Sequence, residues 1–311
     1  TVSIPGGPLR LPGPGGGRTP AGTAAVLEGT GDVGIPPAPA AAAPPATLSY
    51  SSLTSHARCG YAWYLRRVLG LPERDPGPAP DGPPAGDAAR RRGSIAHAVL
   101  ERVDLAAGAP PPDAAAVRAA ADAIGEPLTD AEIPDQLRLA GTFLDGPWRA
   151  RAATADAVRR EVGFALALDA DADDAPLLNG VIDLLAHEAG GRALVIDHKT
   201  DRVAPDADLE ALVARDYAIQ RAIYALAALR AGAETVEVVH LYLERGEAAT
   251  ATYAAADIPA LEETIRTVAA PLLAGAHAVA AEPHIGLCRT CPGRHRLCSQ
   301  PAELTDRELP A

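Results

Sequence analysis

The stretch from Leu177 to Lys199 constrains this chain more than any other. It reads as two strands, Asn179-Gly180-Val181-Ile182-Asp183-Leu184-Leu185 and Ala193-Leu194-Val195-Ile196-Asp197-His198-Lys199, joined through Glu188-Ala189-Gly190-Gly191. Val, Ile and Leu dominate both runs, and the Gly-Gly connection has the composition of a hairpin turn. Burying a carboxylate at the end of an apolar strand is costly unless a positive group pairs with it. Two such carboxylates on neighbouring strands, with a lysine two residues beyond one of them, make a cation site with an ammonium beside it. Side chains alternate along a strand, so Asp197 and Lys199 project to one face and His198 to the other. That arrangement suits phosphodiester hydrolysis: carboxylates hold Mg²⁺, the metal activates a water, and the lysine positions that water or neutralises developing charge. Alone, Asp-x-Lys describes a solvated strand end equally well, so the assignment depends on what accompanies it.

Composition sharpens one residue of that pattern. The 311-residue chain holds 28 Lys and Arg together, and Lys199 is its only lysine. Such a bias looks like GC-rich coding, and its one exception points to a position where the bulkier guanidinium would not serve. The net charge of −12 argues against a general nucleic-acid-coating protein, which needs clustered Lys and Arg. It leaves room for a nuclease whose metal ions and a local basic strip carry binding. No apolar run reaches the roughly 18–20 residues of a membrane span, and no signal peptide is visible, so a cytoplasmic protein without a membrane partner is expected. The chain begins at Thr1 and contains no Met, which suggests a piece of a longer polypeptide. Four cysteines occur, Cys59 and the Cys288-x2-Cys291-x6-Cys298 cluster. A secreted protein would pair them as disulfides; a cytosolic one would use them for a metal or iron–sulfur site.

Along the chain, residues 1–46 are rich in Pro, Gly and Ala and read as a disordered linker. Ser51 or Ser52 is expected to cap a helix to about Leu69, with Cys59 in its middle as a small core residue. A Pro/Gly/Asp loop over 72–89 precedes a helix through Gly93 and His97, and the triplet Arg90-Arg91-Arg92 there is either a DNA contact or an ordinary solvated face. Helices near 114–124 and 131–153 form a helical insertion of about 108–155. Arg159 to Leu168 alternates as a half-buried strand, first in a meander with the two acidic strands, and Asp169 to Asp174 is a solvated acidic turn. A helix from about Val213 to Ala231 puts Gln220 and Tyr224 on one face; a strand from Thr235 to Leu243, an edge strand near 248–253 and a helix capped by Asp257 follow. The tail of about 283–301 has three cysteines and little hydrophobic pattern, so ligation is expected to order it, with 304–311 disordered beyond.

Gly93-x-x-x-His97, Gly180-x-x-Asp183, Asp197-x-Lys199 and Gln220-x-x-x-Tyr224 occur in the chain order of the PD-(D/E)XK nucleases of RecB type, which this sequence resembles over about 47–303. The resemblance implies that His97, Asp183 and Asp197 bind Mg²⁺ (or Mn²⁺). It further implies that Lys199 acts beside the attacking water, and that Gln220 and Tyr224 assist at the substrate. One cysteine before the core and three after it resembles the AddB-like subset. There Cys59, Cys288, Cys291 and Cys298 would hold a [4Fe–4S] cluster; four thiolates also suit zinc, and His295 is a spare ligand. Leu48-Ser49-Tyr50-Ser51-Ser52-Leu53 and Asp197-His198-Lys199-Thr200-Asp201-Arg202 look like nuclease domains at the C-terminus of UvrD/AddA-type helicases. Ser94 stands where Thr is commoner, and His198 where Tyr is usual. This chain has no G-x-x-x-x-G-K-[ST] stretch, so a motor would lie on another part of the polypeptide or complex.

The expected fold is α/β: a restriction-endonuclease-like core with a mixed central sheet flanked by helices, a helical insertion and a Cys-ligated tail. The expected function is metal-dependent hydrolysis of DNA, single-stranded or at duplex ends, as the exonuclease module of a helicase–nuclease in recombination and double-strand-break repair. The rival expectation is an inactive nuclease-fold scaffold that binds DNA or a helicase partner.

Overall fold

In the computed structural model, residues 45–75, 85–169 and 175–308 are described. The linker expected over 1–46 therefore lies outside the described residues except for its last two, as do most of the acidic turn and the final three residues. A short strand β1 (Thr47–Ser49) runs into α1 (Tyr50–Arg58) and α2 (Gly60–Arg67). The helical layer follows as α3 (Ala85–Arg102), α4 (Ala114–Ala123), α5 (Ile133–Leu144) and α6 (Pro147–Ala153). Then come β2 (Ala157–Ala167), β3 (Leu177–Glu188), β4 (Arg192–Lys199), α7 (Leu209–Asp216) and α8 (Ala218–Arg230). The chain finishes with β5 (Thr235–Tyr242), β6 (Glu247–Ala254), α9 (Ile258–Leu273) and the short helices α10 (Ile285–Cys288) and α11 (Ala302–Thr305).

Among the described residues the six strands form one mixed sheet, β1-β3-β4-β5-β6, with β2 paired to β3. β2, β3 and β4 are an antiparallel meander; β5 joins β4 in parallel after the α7–α8 crossover, and β6 returns antiparallel to β5. Strand alternation divides the core into two layers. Leu194 and Ile196 of β4 and Val239 and Leu241 of β5 face α3–α5, packing on Val99, Leu139 and Phe143. Ala193, Val195, Val236 and Val238 face the other way, onto Ile223 and Leu226 of α8 and Ile265 of α9. Gly190 and Gly191 both take positive φ, 73° and 67°, in the turn between β3 and β4, a conformation glycine adopts without a Cβ clash. The architecture is the mixed sheet flanked by helices that the sequence implies. Among the described residues no helix is long and apolar enough to cross a membrane.

Three expected helices are divided. Cys59 is extended (φ −161°, ψ 98°) and interrupts the first, and its Sγ accepts from Ala62 N at 3.5 Å, so it caps α2 rather than sitting mid-helix. The cap of α1 is Ser49, whose Oγ accepts from Ser52 N at 3.2 Å, not Ser51 or Ser52. Gly146-Pro147 separates α5 from α6, because proline lacks the N–H that a continuous helix would use. Tyr217 separates α7 from α8. The Pro/Gly loop also ends sooner, since α3 begins at Ala85. Finally, order does not stop at 303: Thr305 is fully buried and Ile285 N donates to Arg307 O at 2.8 Å. The C-terminal residues through 308 close over the tail as part of the domain, where a disordered stretch was expected.

Candidate active site

A fork in the sheet builds the site. One edge of β3 pairs with β2 along its length, from Leu177 to His187. The opposite edge is shared: β1 takes residues 177–179, and β4 takes 184–188. Between them, Gly180 to Asp183 have no strand on that edge among the described residues, and two side chains replace the missing ladder. Tyr224 Oη donates to Val181 O at 2.8 Å, and Asp183 Oδ2 accepts from His198 N at 2.7 Å. Asp183 thus closes the strands where the ladder stops. Asp197 follows the last ladder pair, Leu184 with Ile196, and stands across from it. Gly180 fits there because Phe164 covers it, with its Cζ only 2.7 Å from where a Cβ would be.

Behind the fork lies a buried polar cluster on the α8 face. Asp197 is 3% exposed and Lys199 9%, with Lys199 Nζ 2.7 Å from Asp197 Oδ2. That approach is too bent for a hydrogen bond, and Asp197 Oδ2 has no other partner. Gln220 bridges the pair, donating from Nε2 to Asp197 Oδ1 at 2.9 Å and accepting at Oε1 from Lys199 Nζ at 2.8 Å. Its amide also donates to Tyr224 Oη at 3.1 Å. Tyr217 completes the cluster, its ring centroid 3.9 Å from Lys199 Nζ. Helical spacing placed Gln220 and Tyr224 on one face; the structure adds that their polar groups are spent on Asp197, Lys199 and the backbone of β3. His198 points to the opposite side, edge-on against Phe143 with centroids 4.9 Å apart.

His97 reaches the fork from α3. One turn earlier, a Cβ on Gly93 would lie 3.0 Å from Thr200 Oγ1, so glycine lets the helix approach the end of β4. His97 Nε2 then meets His198 O at 3.0 Å, and Nδ1 lies 3.4 Å from Asp183 Oδ2. Burial opposes charge on His97, but the Asp183 carboxylate outweighs it and the pKa is pushed up to about 9. Burial likewise opposes charge on Asp183, while His198 and His97 hold it well below the usual carboxylate range.

The sequence motifs join His97, Asp183 and Asp197. In the fold His97 and Asp183 converge, while the oxygens of Asp197 face Gln220 and Lys199. The third ligand-bearing residue beside His97 and Asp183 is Glu161 of β2, and ligating atoms of these three all lie within 4.8 Å of one another. Burial and the neighbouring Asp183 raise the pKa of Glu161. Sequence alternation put Glu161 on the face opposite Val162 and Phe164, but gave no register between β2 and β3. The pairs Arg160–Leu184 and Val162–Ile182 set Glu161 opposite Asp183. Carboxylate oxygens with one imidazole form a hard donor set that suits Mg²⁺ or Mn²⁺.

Arg92 belongs to the scaffold. Its guanidinium bonds Asp135 of α5 at 2.5 Å, Thr200 O at 2.8 Å and Glu244, fastening the helical insertion to the end of β4. Arg91 pairs with Glu132 and Arg90 with Glu126.

The four cysteines form no disulfide and line one small apolar cavity between α2 and the tail. Burial raises the Cys288 thiol. Protein contacts also dock the tail: Tyr61 Oη donates to Leu297 O at 3.0 Å, and Arg74 N to Thr290 O at 2.9 Å.

A segment of 91 residues, 28% of this chain, is 41% identical to an ATP-dependent helicase/nuclease subunit of Desulfitobacterium hafniense, in both strain DSM 10664 / DCB-2 and strain Y51. It spans only 6% of those relatives' length. A solved structure described as SSO0001 aligns over 79% of this chain and 82% of its own, at 15% identity and a TM-score of 0.36. The profile of the PD-(D/E)XK nuclease superfamily matches residues 47–298, a span that holds the whole sheet, the fork and all four cysteines; this chain is a member of that superfamily.

Proposed function

We propose that this protein is a metal-dependent deoxyribonuclease, the exonuclease module of a helicase–nuclease that works on DNA ends in recombination and double-strand-break repair. The observation that carries the reading is the fork: His97 and Asp183 meet at its mouth, across from a buried Asp197–Lys199 pair fixed by Gln220. His97, Asp183 and Asp197 would hold Mg²⁺ or Mn²⁺, Asp197 through Oδ2, which makes no hydrogen bond although Lys199 Nζ lies 2.7 Å away. A divalent ion there supplies Lewis acidity toward the phosphodiester and lowers the pKa of an attacking water. Lys199 holds a fixed positive charge beside that water, Gln220 keeps Lys199 and Asp197 in one geometry, and Tyr224 ties both to β3. Gln220 and Tyr224 act as positioning residues, since both are buried. The 41% identical segment of a helicase/nuclease relative supports a motor in the same polypeptide or complex.

The four cysteines are assigned a structural [4Fe–4S] cluster. Their shared apolar cavity supports a common ligand. The preference for iron–sulfur over zinc rests on the resemblance in cysteine layout, one before the core and three after it. A brown anaerobic preparation with iron and sulfide is expected; a colourless one with zinc would overturn this assignment.

End-labelled single-stranded and duplex DNA, incubated with the protein and Mg²⁺, should be degraded by the wild type and spared by Asp183→Ala of unchanged circular dichroism. Intact DNA with the wild type in both Mg²⁺ and Mn²⁺ would favour the scaffold reading.

A further inference from the structure

We propose that Arg294 is the charge partner of the iron–sulfur centre assigned to the four cysteines: its guanidinium, oriented by Asp306, faces the cluster's sulfurs and raises the reduction potential. The inference rests on that cluster assignment and adds to it a residue outside the ligand set.

Charge is the first support. Four thiolates around an oxidised [4Fe–4S] core leave a dianionic centre, and a buried anion is costly unless a positive group stands beside it. Ala62, Ala280, Pro283 and Leu287 make much of the remaining wall of the cysteine cavity apolar. Besides the cysteines, Arg294 is the one charged or ionisable-to-cation side chain lining it among the described residues. It is a cation placed where the ligand set needs one.

Geometry is the second. Arg294 donates to Asp306 Oδ1 from Nε at 2.9 Å and from Nη2 at 2.6 Å, so one edge of the guanidinium is fixed. Nη1 makes no hydrogen bond among the described residues and is the donor left for the cavity. The side chain is only 17% exposed, so its charge is held largely out of water. Both ends of this pair are anchored. On the Arg294 side, a Cβ on Gly293 would lie 2.7 Å from Leu65 Cδ1, and Arg74 Nη1 donates to Arg294 O at 2.8 Å, which presses the loop onto α2. On the Asp306 side, Thr305 is fully buried and lines the same cavity, while Arg307 Nε donates to Pro283 O at 3.0 Å and Arg307 O accepts from Ile285 N at 2.8 Å. The last turn of the chain therefore acts as an orienter for Arg294. A fixed cation stabilises the reduced cluster, which carries one more negative charge, and a carboxylate nearby does the opposite.

Redox titration of the whole chain, prepared anaerobically and followed by paramagnetic resonance of the reduced cluster, tests this. Arg294→Gln should lower the midpoint potential by at least a tenfold change in the reduction equilibrium, about 59 mV for a one-electron couple. Arg294→Lys, which keeps the charge, should restore most of that shift. Asp306→Asn should move the potential upward, because the guanidinium charge is no longer offset. A cavity that is merely loosened admits water, which favours the more highly charged reduced form, and would raise the potential in both variants. Opposite signs in Arg294→Gln and Asp306→Asn are thus the signature of direct charge contact. A raised potential in Arg294→Gln, or one within about twofold of the wild-type equilibrium, overturns the inference. Should Arg294→Gln fail to hold iron, Asp306→Asn decides: a raised potential supports the inference, and an unchanged or lowered one overturns it. A wild type that carries zinc or no iron removes the cluster assignment and this inference together, and the nuclease reading then stands or falls on the cleavage assay alone.

Discussion

Sequence alone makes Lys199→Ala a clean catalytic knockout; the structure argues that replacing this lysine also unfolds protein. The Lys199 and Asp197 side chains are 11% and 4% exposed, and their charged atoms are 2.7 Å apart. Take Lys199→Met, which keeps most of the volume. Asp197 then retains a single donor, the Gln220 amide at 2.9 Å, and its carboxylate is left without a cationic partner in a buried position. Breaking a buried pair in this way costs about 3–5 kcal/mol, and the lost contact with the Tyr217 ring falls within that range rather than adding to it. Against a total stability of roughly 5–15 kcal/mol the loss is large, equivalent to a fall in Tm of about 6–20 °C at 2–4 °C per kcal/mol. Adding Asp197→Asn removes the stranded charge, so the double variant should recover more than half of the loss while both remain inactive. Urea denaturation at pH 7 in EDTA, followed by circular dichroism, gives all four corners of the cycle. The reasoning is refuted if Lys199→Met unfolds within about 0.5 kcal/mol of the wild type, or if Asp197→Asn brings no recovery.

Two further outcomes follow from the fork. With the His97 pKa raised from 6.5 to about 9, its charged form stabilises the metal-free fold fully below pH 6.5 and progressively less as pH rises through about 9. The stability difference between wild type and His97→Gln, from urea midpoints in EDTA, should therefore shrink from pH 6 to pH 9.5; a difference that grows would contradict the ion pair with Asp183. Gly180→Ala places a Cβ 2.7 Å from Phe164 Cζ, and Phe164 stands edge-on to Tyr224 at 6.2 Å. Overpacking of this kind costs about 1–3 kcal/mol, and by disturbing Tyr224 it should slow cleavage, with Phe164→Leu restoring the Tm; an unchanged Tm in Gly180→Ala would show that the ring yields freely.

The acidic hairpin was legible because it is local. Its apolar runs, its Gly-Gly turn and the alternation that turns Asp197 and Lys199 away from His198 all act within about 25 residues. The mixed sheet followed from the same patterns. What sequence missed depends on register and approach. Glu161 is opposite Asp183 only through pairing across a long connection, and a left-handed backbone in mid-strand has no compositional mark when the residue is Glu. Tyr217 lies under Lys199 because the helix breaks there, at a residue with no helix-breaking tendency. The Arg90–Arg92 triplet read as either a DNA contact or a solvated face because the partners of Arg92, Asp135 and Glu244, are far away in sequence. The contact of Gly93 with Thr200 is likewise set by the approach of a helix to a strand end and not by local sequence.

The two acids at the fork are not equivalent, and the difference decides which substitution reports on chemistry. Asp183 accepts a backbone N–H where the ladder ends and pairs with His97, whose imidazole can shed its proton once the carboxylate is gone. Removing its carboxylate costs the net value of a hydrogen bond or two, about 1–2 kcal/mol, and relieves the repulsion on Glu161. Asp197 balances an ammonium that is itself buried against Gln220 and the Tyr217 ring. Removing that carboxylate strands the lysine in the interior and brings the same penalty of several kcal/mol that Lys199→Met imposes from the other side. Loss of cleavage in Asp183→Ala therefore measures the reaction. The same loss in Asp197→Ala measures folding and reaction together, and the two separate only when Lys199 is neutralised in the same molecule.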